Sequence, residues 1–389
     1  MDEFESIRPY ADDEVPAVVA RLVGNRALRR GVGALVFPRL SARLPALAEA
    51  LMGGLLKWRG RRIRTVLDFQ IQMGRYIDLV LRTRVTALSY SGLDALPKDR
   101  ACLFISNHRD IVYDSGIINR LLYEIGQNTA RLAVGDNLFS TVYAADVMRL
   151  NKGFMIERSV VGRKAQYAAM QRTARYVRHS LQEGEHVWIA QRAGRAKDGL
   201  DRTDPALLKM LALAFRKETD DFAEIARSLT IVPTAISYEL DPCDLRKAQE
   251  LELLARNGTF EKGSDDDLAA IAEGLSGFKG RMHVHFGQLA STGPMNAERL
   301  ALAVDREIVG HLKLYPTNAW AAEISGLAVP GPVEPDDGRT LPLLKARLEA
   351  CSAGERPLLL AQYANLARNK TELDAAYAAP PSKVLSAVM

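Results

Sequence analysis

Between residues 85 and 290, short apolar or alternating runs take turns with longer stretches of helical periodicity. That alternation constrains the chain more than any other feature. Val85 to Tyr90, Ala101 to Ile105, Arg131 to Val134, Phe154 to Ile156, His186 to Ala190, Leu229 to Tyr238 and Arg281 to Phe286 read as strands. Asp114 to Ile125 reads as a helix with Gly126 as its C-terminal cap. Arg163 to Glu183 carries an apolar stripe of Tyr167, Met170, Ala174, Val177 and Leu181, closed by Gly184. Asp204-Pro205 has the chemistry of a further helix start. Strands alternating with helices imply an α/β fold, a mixed central sheet flanked by helices.

The flanks read as helical. Residues 1–60 suggest several short helices broken by Gly24, Gly31, Gly33, Pro38 and Pro45. Val66, Phe69, Met73, Ile77 and Val80 then repeat at helical spacing, a stripe expected to dock on the α/β core. Beyond residue 295 the pattern is helical again, interrupted by Pro316, Pro330, Pro332 and Pro335. The expected organisation is a basic, membrane-facing helical segment over 1–84, an α/β domain over 85–295 and a helical extension over 296–389.

The first 100 residues hold 17 Lys/Arg against 11 Asp/Glu, a balance of +6 in a chain whose formal total is +5. Lys57-Trp58-Arg59-Gly60-Arg61-Arg62-Ile63-Arg64 follows an apolar stretch, and such a segment is attracted to an anionic lipid surface. No interleaved aromatic-basic motif suggests nucleic acid. The acidic start, with no compact apolar run after it, argues against a secretory signal. No uncharged apolar run reaches the ~18 residues of a spanning helix. Cys102, Cys243 and Cys351 are scattered, so neither a disulfide framework nor a zinc site is expected.

The chemistry concentrates where the run Cys102–Ile105 breaks into Ser106-Asn107-His108-Arg109-Asp110-Ile111-Val112-Tyr113-Asp114. A histidine at a strand end becomes a general base when a carboxylate fixes its tautomer and stabilises the imidazolium. Asp110 and Asp114 both compete for that place. His283 and His285 alternate onto one face of the last strand. They could in principle bind a metal, but no Glu or third histidine is placed to complete such a site, so they read as ordinary surface histidines and no metal is expected. Nucleophile-elbow, phosphate-loop and His-Glu-x-x-His motifs are absent.

The segment around His108 resembles the His-Asp motif of the glycerolipid acyltransferase superfamily, the glycerol-3-phosphate and 1-acylglycerol-3-phosphate acyltransferases. Three further blocks resemble the same family in the same order. They are Gly135–Phe139 with Gly153–Ser159, Ala190–Gly199, and Ile231–Tyr238. The resemblance implies transfer of a fatty acyl group from acyl-CoA or acyl carrier protein to a hydroxyl of glycerol phosphate, lysophosphatidate or a related lysolipid. His108 would be the base and Asp114 its partner. Acceptor and donor would be bound by Arg109, Gly135, Asp136, Asn137, Phe154 and Arg158, and by Arg192, Gly194, Arg195 and Lys197. No cofactor is implied beyond the thioester co-substrate, and the expected location is cytoplasmic, peripheral on the inner membrane face.

Three departures accompany the resemblance. Five residues rather than four separate His108 from Asp114, with Tyr113 at the expected place. Glu157 stands where many relatives have arginine, and Ala193 where they have glutamate. These departures support an alternative, a catalytically degenerate lipid-binding or scaffold protein on the same fold.

Overall fold

The computed structural model describes residues 3–260, 263, 266–289 and 295–378. The outermost residues of the expected terminal segments, 1–2 and 379–389, lie outside the described residues. Seven strands form one sheet: β1 (Val85–Ser91), β2 (Leu103–Ser106), β3 (Arg131–Gly135), β4 (Gly153–Ile156), β5 (Val187–Ala190), β6 (Ile231–Tyr238) and β7 (Gly280–Phe286). Their spatial order is β1-β7-β6-β2-β5-β3-β4. Strands β4, β3, β5, β2 and β6 are mutually parallel, whereas β7 is antiparallel to β6 and parallel to β1. The sheet is therefore mixed, as the alternation of strands and helices implies.

Strand β2 is paired on both sides and all four of its residues are buried. A strand covered on both faces has no use for polar alternation, which is why Cys102–Ile105 is uniformly apolar. Leu103, Ile105, Val187, Ile189, Ile231 and Ala235 pack on one face with Tyr176, Val177, Leu208, Leu211, Leu300 and Val304. Phe104, Trp188, Val232, Ile236 and Val284 pack on the other with Ile77, Val80, Tyr113, Ile117 and Leu121. The helix Val66–Arg84 starts in a capping box, Thr65 with Asp68, and buries Val66, Phe69, Ile77 and Val80 of its stripe. The helix Arg163–Gln182 ends before Gly184, and Tyr113–Glu124 before Gly126, close to the expected bounds.

The N-terminal helices differ from expectation in one respect. Gly31 and Gly33 lie inside the helix Arg26–Val36 and do not interrupt it. Glycine costs about 1 kcal/mol in a helix interior, and the Asn25 cap, accepting from the Leu28 amide at 2.9 Å, helps offset it. Past the sheet, the helices Asp244–Asn257, Pro316–Ile324 and Glu355–Ala378 share a third core with Leu240, Ala248, Ala321, Leu359 and Tyr363.

Candidate active site

Five parallel strands end at one edge of the sheet, and the polar blocks of the sequence lie just beyond those ends. Ser106-Asn107-His108 follows β2, Gly135-Asp136-Asn137 closes β3, Glu157-Arg158 follows β4, Gln191 to Lys197 follows β5, and Tyr238 ends β6. Ligands of parallel α/β sheets bind in this position, because loops there converge over the strand termini.

Asn107 fixes the turn out of β2. Its side chain donates to the Ile236 carbonyl at 2.9 Å and accepts from the Ile236 amide at 2.8 Å, stapling the loop to β6. His108 then presents its ring next to Asp114, in the first turn of the helix Tyr113–Glu124. The Nδ1–Oδ2 distance is 2.8 Å. The His108 ring meets Trp188 in a T-shaped contact, centroids 5.5 Å apart.

Asp114 is fully buried, and every group that reaches it is a donor. Oδ2 accepts from His108 Nδ1, from the Arg109 amide at 2.6 Å and from the Asp110 amide at 3.0 Å. Oδ1 accepts from the Tyr238 hydroxyl at 2.6 Å. A carboxylate offers about four lone-pair sites, and four donors converge on this one, three at Oδ2 and one at Oδ1. With Nδ1–H given to Asp114, His108 Nε2 keeps its lone pair, the arrangement a general base requires.

Asp110 does different work. Its Oδ1 accepts from the amides of Val112 and Tyr113, at 2.9 and 2.8 Å, capping the same helix. Oδ2 has no hydrogen-bond partner, and a Cβ on Gly274 would sit 2.4 Å from it. Burial, followed by the Asp114 charge, pushes the Asp110 carboxyl upward. Of the two competing carboxylates, His108 is paired with Asp114. The extra residue between them is absorbed in the Asp110 turn, while Tyr113 is buried with its hydroxyl donating to the Ile77 carbonyl at 3.1 Å.

Residues 87–237 match the family model described as Acyltransferase, from within β1 through β6. Over these residues the chain is similar to the acyltransferase family. No match was found among the curated proteins. Among solved structures, the 1-acyl-sn-glycerophosphate (LPA) acyltransferase PlsC of Thermotoga maritima is 15% identical with a TM-score of 0.37, covering 72% of this chain and 94% of that one. Chloroplast FtsY of Physcomitrella patens is 14% identical with a TM-score of 0.22, covering 78% and 97%. Likenesses this distant carry no argument about the site, and the similarity to acyltransferases rests on the family model over residues 87–237.

The expected binding residues divide by their partners. Arg109 is tied in a buried ion pair with Asp201, and its carbonyl accepts from Lys247 at 2.8 Å. Arg192 pairs with Asp198 and Lys197 with Glu250, so neither offers a free charge. Phe154 corrects the expectation of an acceptor contact. It is fully buried against Tyr176, centroids 5.0 Å apart, because β4 turns its apolar side chain into the core. Asp136 accepts from the amides of Arg158 and Ser159, at 2.9 and 2.7 Å, joining the ends of β3 and β4. Asn137 donates to Asp267 at 2.8 Å. Gly135 is needed for space: a Cβ there would lie 2.6 Å from Asn137 Oδ1 and 3.5 Å from the Arg158 guanidinium.

Two cations stand apart. Neither Arg158 nor Arg195 forms an ion pair among the described residues, and Arg195 Nη1 is buried with no hydrogen-bond partner. Partial burial lowers the Arg158 pKa, with Asp136 opposing. Gly194, at φ +78°, turns the loop that carries Arg195, and the Ala196 amide donates to the His108 carbonyl at 2.8 Å. The third block is thereby tied to the dyad. Glu157, in a place where relatives have arginine, accepts from Arg172 at 2.7 Å and is neutralised. Ala193 is exposed and adds no charge.

Tyr238 was legible as part of the fourth block but not as a partner of the dyad. The signal was a tyrosine ending an otherwise apolar strand, since a buried hydroxyl needs an acceptor. Burial and the neighbouring Asp114 and Asp110 charges hold its hydroxyl protonated well above the usual range, so it only donates. Tyr238→Phe should lower kcat about tenfold with KM unchanged, the scale of one hydrogen bond to a charged acceptor. Steady-state kinetics alongside a melting curve checks this; a changed KM with kcat intact would remove Tyr238 from the dyad.

Proposed function

We propose that the enzyme transfers a fatty acyl group from acyl-CoA or an acyl carrier protein thioester to a hydroxyl of glycerol phosphate, lysophosphatidate or a related lysolipid. The observation that carries this reading is the His108–Asp114 pair at the strand edge where the unpaired Arg158 and Arg195 also emerge. His108 Nε2 takes the proton of the acceptor hydroxyl as its oxygen attacks the thioester carbonyl. The carbon–sulfur bond breaks, the thiolate leaves, and the imidazolium returns the proton to it. Asp114 stabilises the imidazolium throughout. A thioester is already activated, so neither a covalent acyl-enzyme nor a cofactor is needed. Arg158 and Arg195 hold the acceptor phosphate, to which a guanidinium donates two parallel hydrogen bonds.

The reaction surface is an anionic membrane on the cytoplasmic side. The helix Pro45–Gly60 and its N-cap expose Leu44, Leu47, Leu51 and Trp58, spaced three, four and seven apart along one face. Lys57, Arg59, Arg61, Arg62 and Arg64 are all exposed beside them and form no ion pair among the described residues. Arg62 lies over Trp58, 4.7 Å from the ring centroid. Apolar burial and lipid electrostatics act together on such a surface. No helix among the described residues is long and apolar enough to cross a membrane.

Purified protein should release free thiol from an acyl thioester only when a glycerol-phosphate-type or lysolipid acceptor is supplied. Arg158→Ala and Arg195→Ala should each raise the acceptor KM about ten- to a hundredfold, the worth of a hydrogen-bonded charge contact, while the donor KM stays put. Ala193 and the neutralised Glu157 favour a second reading, a catalytically degenerate lipid-binding scaffold. Vesicle binding without acceptor-dependent thiol release would select it.

A further inference from the structure

Strand β7 turns His285 toward the face that carries Ala235, its register partner, and the helix Ala297–His311. Spacing along the chain offers this histidine no further metal donor, but packing supplies two. Glu307 and His311, one helical turn apart, lie beside His285, and one donor atom from each of the three residues lies within 4.8 Å of the others. The His285 and His311 rings stack, with centroids 3.7 Å and planes 11° apart.

Both rings have an oxygen beside Nδ1. Ser91 Oγ lies 2.8 Å from His285 Nδ1 and 3.1 Å from His283 Nε2, and Ser89 Oγ lies 2.8 Å from His283 Nδ1. When Ser91 accepts from His285 Nδ1–H, His285 Nε2 keeps its lone pair. At His311, Nδ1 lies 2.8 Å from the Glu307 carbonyl, so Nδ1 carries the hydrogen and Nε2 is bare.

A metal-binding histidine characteristically gives its second ring N–H to an oxygen acceptor, which orients the ring and fixes its tautomer. His311 meets that condition through the Glu307 carbonyl, and Ser91 Oγ is the oxygen placed to do the same for His285. The Glu307 carboxylate approaches Gly287 closely, where a Cβ would lie 2.8 Å from Oε2. His311 and His283 also line a cleft of about 700 Å³ with Lys313 and Lys370, which gives an ion a path in.

We propose that His285, Glu307 and His311 form a binding site for a divalent transition-metal ion of the zinc class, with its fourth position open to the cleft. Two imidazoles and one carboxylate are the ligand types such an ion takes in open sites. Zinc bonds of about 2.0–2.2 Å require the donors to draw together. His311 is exposed on the helix surface and supplies that movement. The ion clips β7 to the helix Ala297–His311 on the sheet face opposite the His108–Trp188 contact. It is therefore separate from the acyl-transfer chemistry.

The test uses the full chain freed of metal by a chelator and titrated with Zn²⁺ by calorimetry. One ion per chain should bind, raise Tm and be removed again by chelator, whereas Mg²⁺, which prefers oxygen ligands, should not compete. His311→Ala and Glu307→Gln should each weaken binding at least tenfold while leaving the metal-free Tm unchanged, which separates lost ligation from misfolding. Ser91→Ala, which takes away the oxygen beside His285 Nδ1 without removing a ligand, should weaken it about tenfold. X-ray absorption of the loaded protein should show two nitrogen ligands and at least one oxygen ligand. No saturation by about 1 mM Zn²⁺, or equal affinity in the His311→Ala and Glu307→Gln proteins, overturns the site.

Discussion

His108→Ala should lower turnover by about 10²–10⁴-fold, the usual contribution of a general base, and leave the affinity for acyl donor nearly unchanged. A base acts as the acceptor proton moves, so its loss falls on kcat rather than on binding. The fold should survive. The His108 carbonyl still accepts from the Ala196 amide, and Asn107 still staples the loop to Ile236. What is lost is one hydrogen bond to Asp114 and a ring contact with Trp188. Single-turnover kinetics with a thioester donor, combined with a donor titration and a melting curve, separates these effects. Full activity in His108→Ala would remove the mechanism while leaving the similarity of residues 87–237 to the acyltransferase family in place.

How far the sequence exposes this machinery depends on the range of the forces involved. Strands and helices follow from local periodicity, which is why all seven expected strands, β1 at Val85 to β7 at Phe286, are present. His108 was legible because a buried strand ends there in polar residues. Its partner Asp114 was indicated only by the family resemblance, since Asp110, two residues on, and Asp114, six on, are both carboxylates within the same loop and first turn. The choice is made by the turn in which Asp110 caps the helix with Oδ1 and leaves Asp114 facing the ring. Charge partners are longer-range still. Nothing near Arg109 or Lys197 in the chain announces Asp201 or Glu250, and only packing shows that those two cations are already paired while Arg195 is not. Phe154 misled for a related reason: a motif position does not say which face of β4 a side chain takes. His285, Glu307 and His311 come together only when a helix docks on β7.

Asp114→Asn should cut turnover at least about 10²-fold, approaching the ~10⁴-fold loss seen when the carboxylate of a serine-protease triad becomes an amide. Four donors converge on Asp114: His108 Nδ1–H, the amides of Arg109 and Asp110, and the Tyr238 hydroxyl. An asparagine brings only one acceptor oxygen to this set. If its NH₂ replaces Oδ2, it donates to His108 Nδ1, the proton moves to Nε2, and the base is occupied. If the NH₂ replaces Oδ1, the Tyr238 hydroxyl must turn away, and the imidazolium still loses its counter-charge. Either orientation impairs the step, and the first also sets donor against donor at two backbone amides, which lowers stability.

Asp110→Asn makes the sharpest comparison, because an amide oxygen can keep both cap bonds from Val112 and Tyr113 and Oδ2 has no partner to lose. It should change turnover by no more than a few-fold. Measuring kcat and Tm for the two variants together decides the pairing. A crippled Asp110→Asn beside a nearly silent Asp114→Asn would mean that the 2.8 Å contact to Asp114 is not the one that catalysis uses.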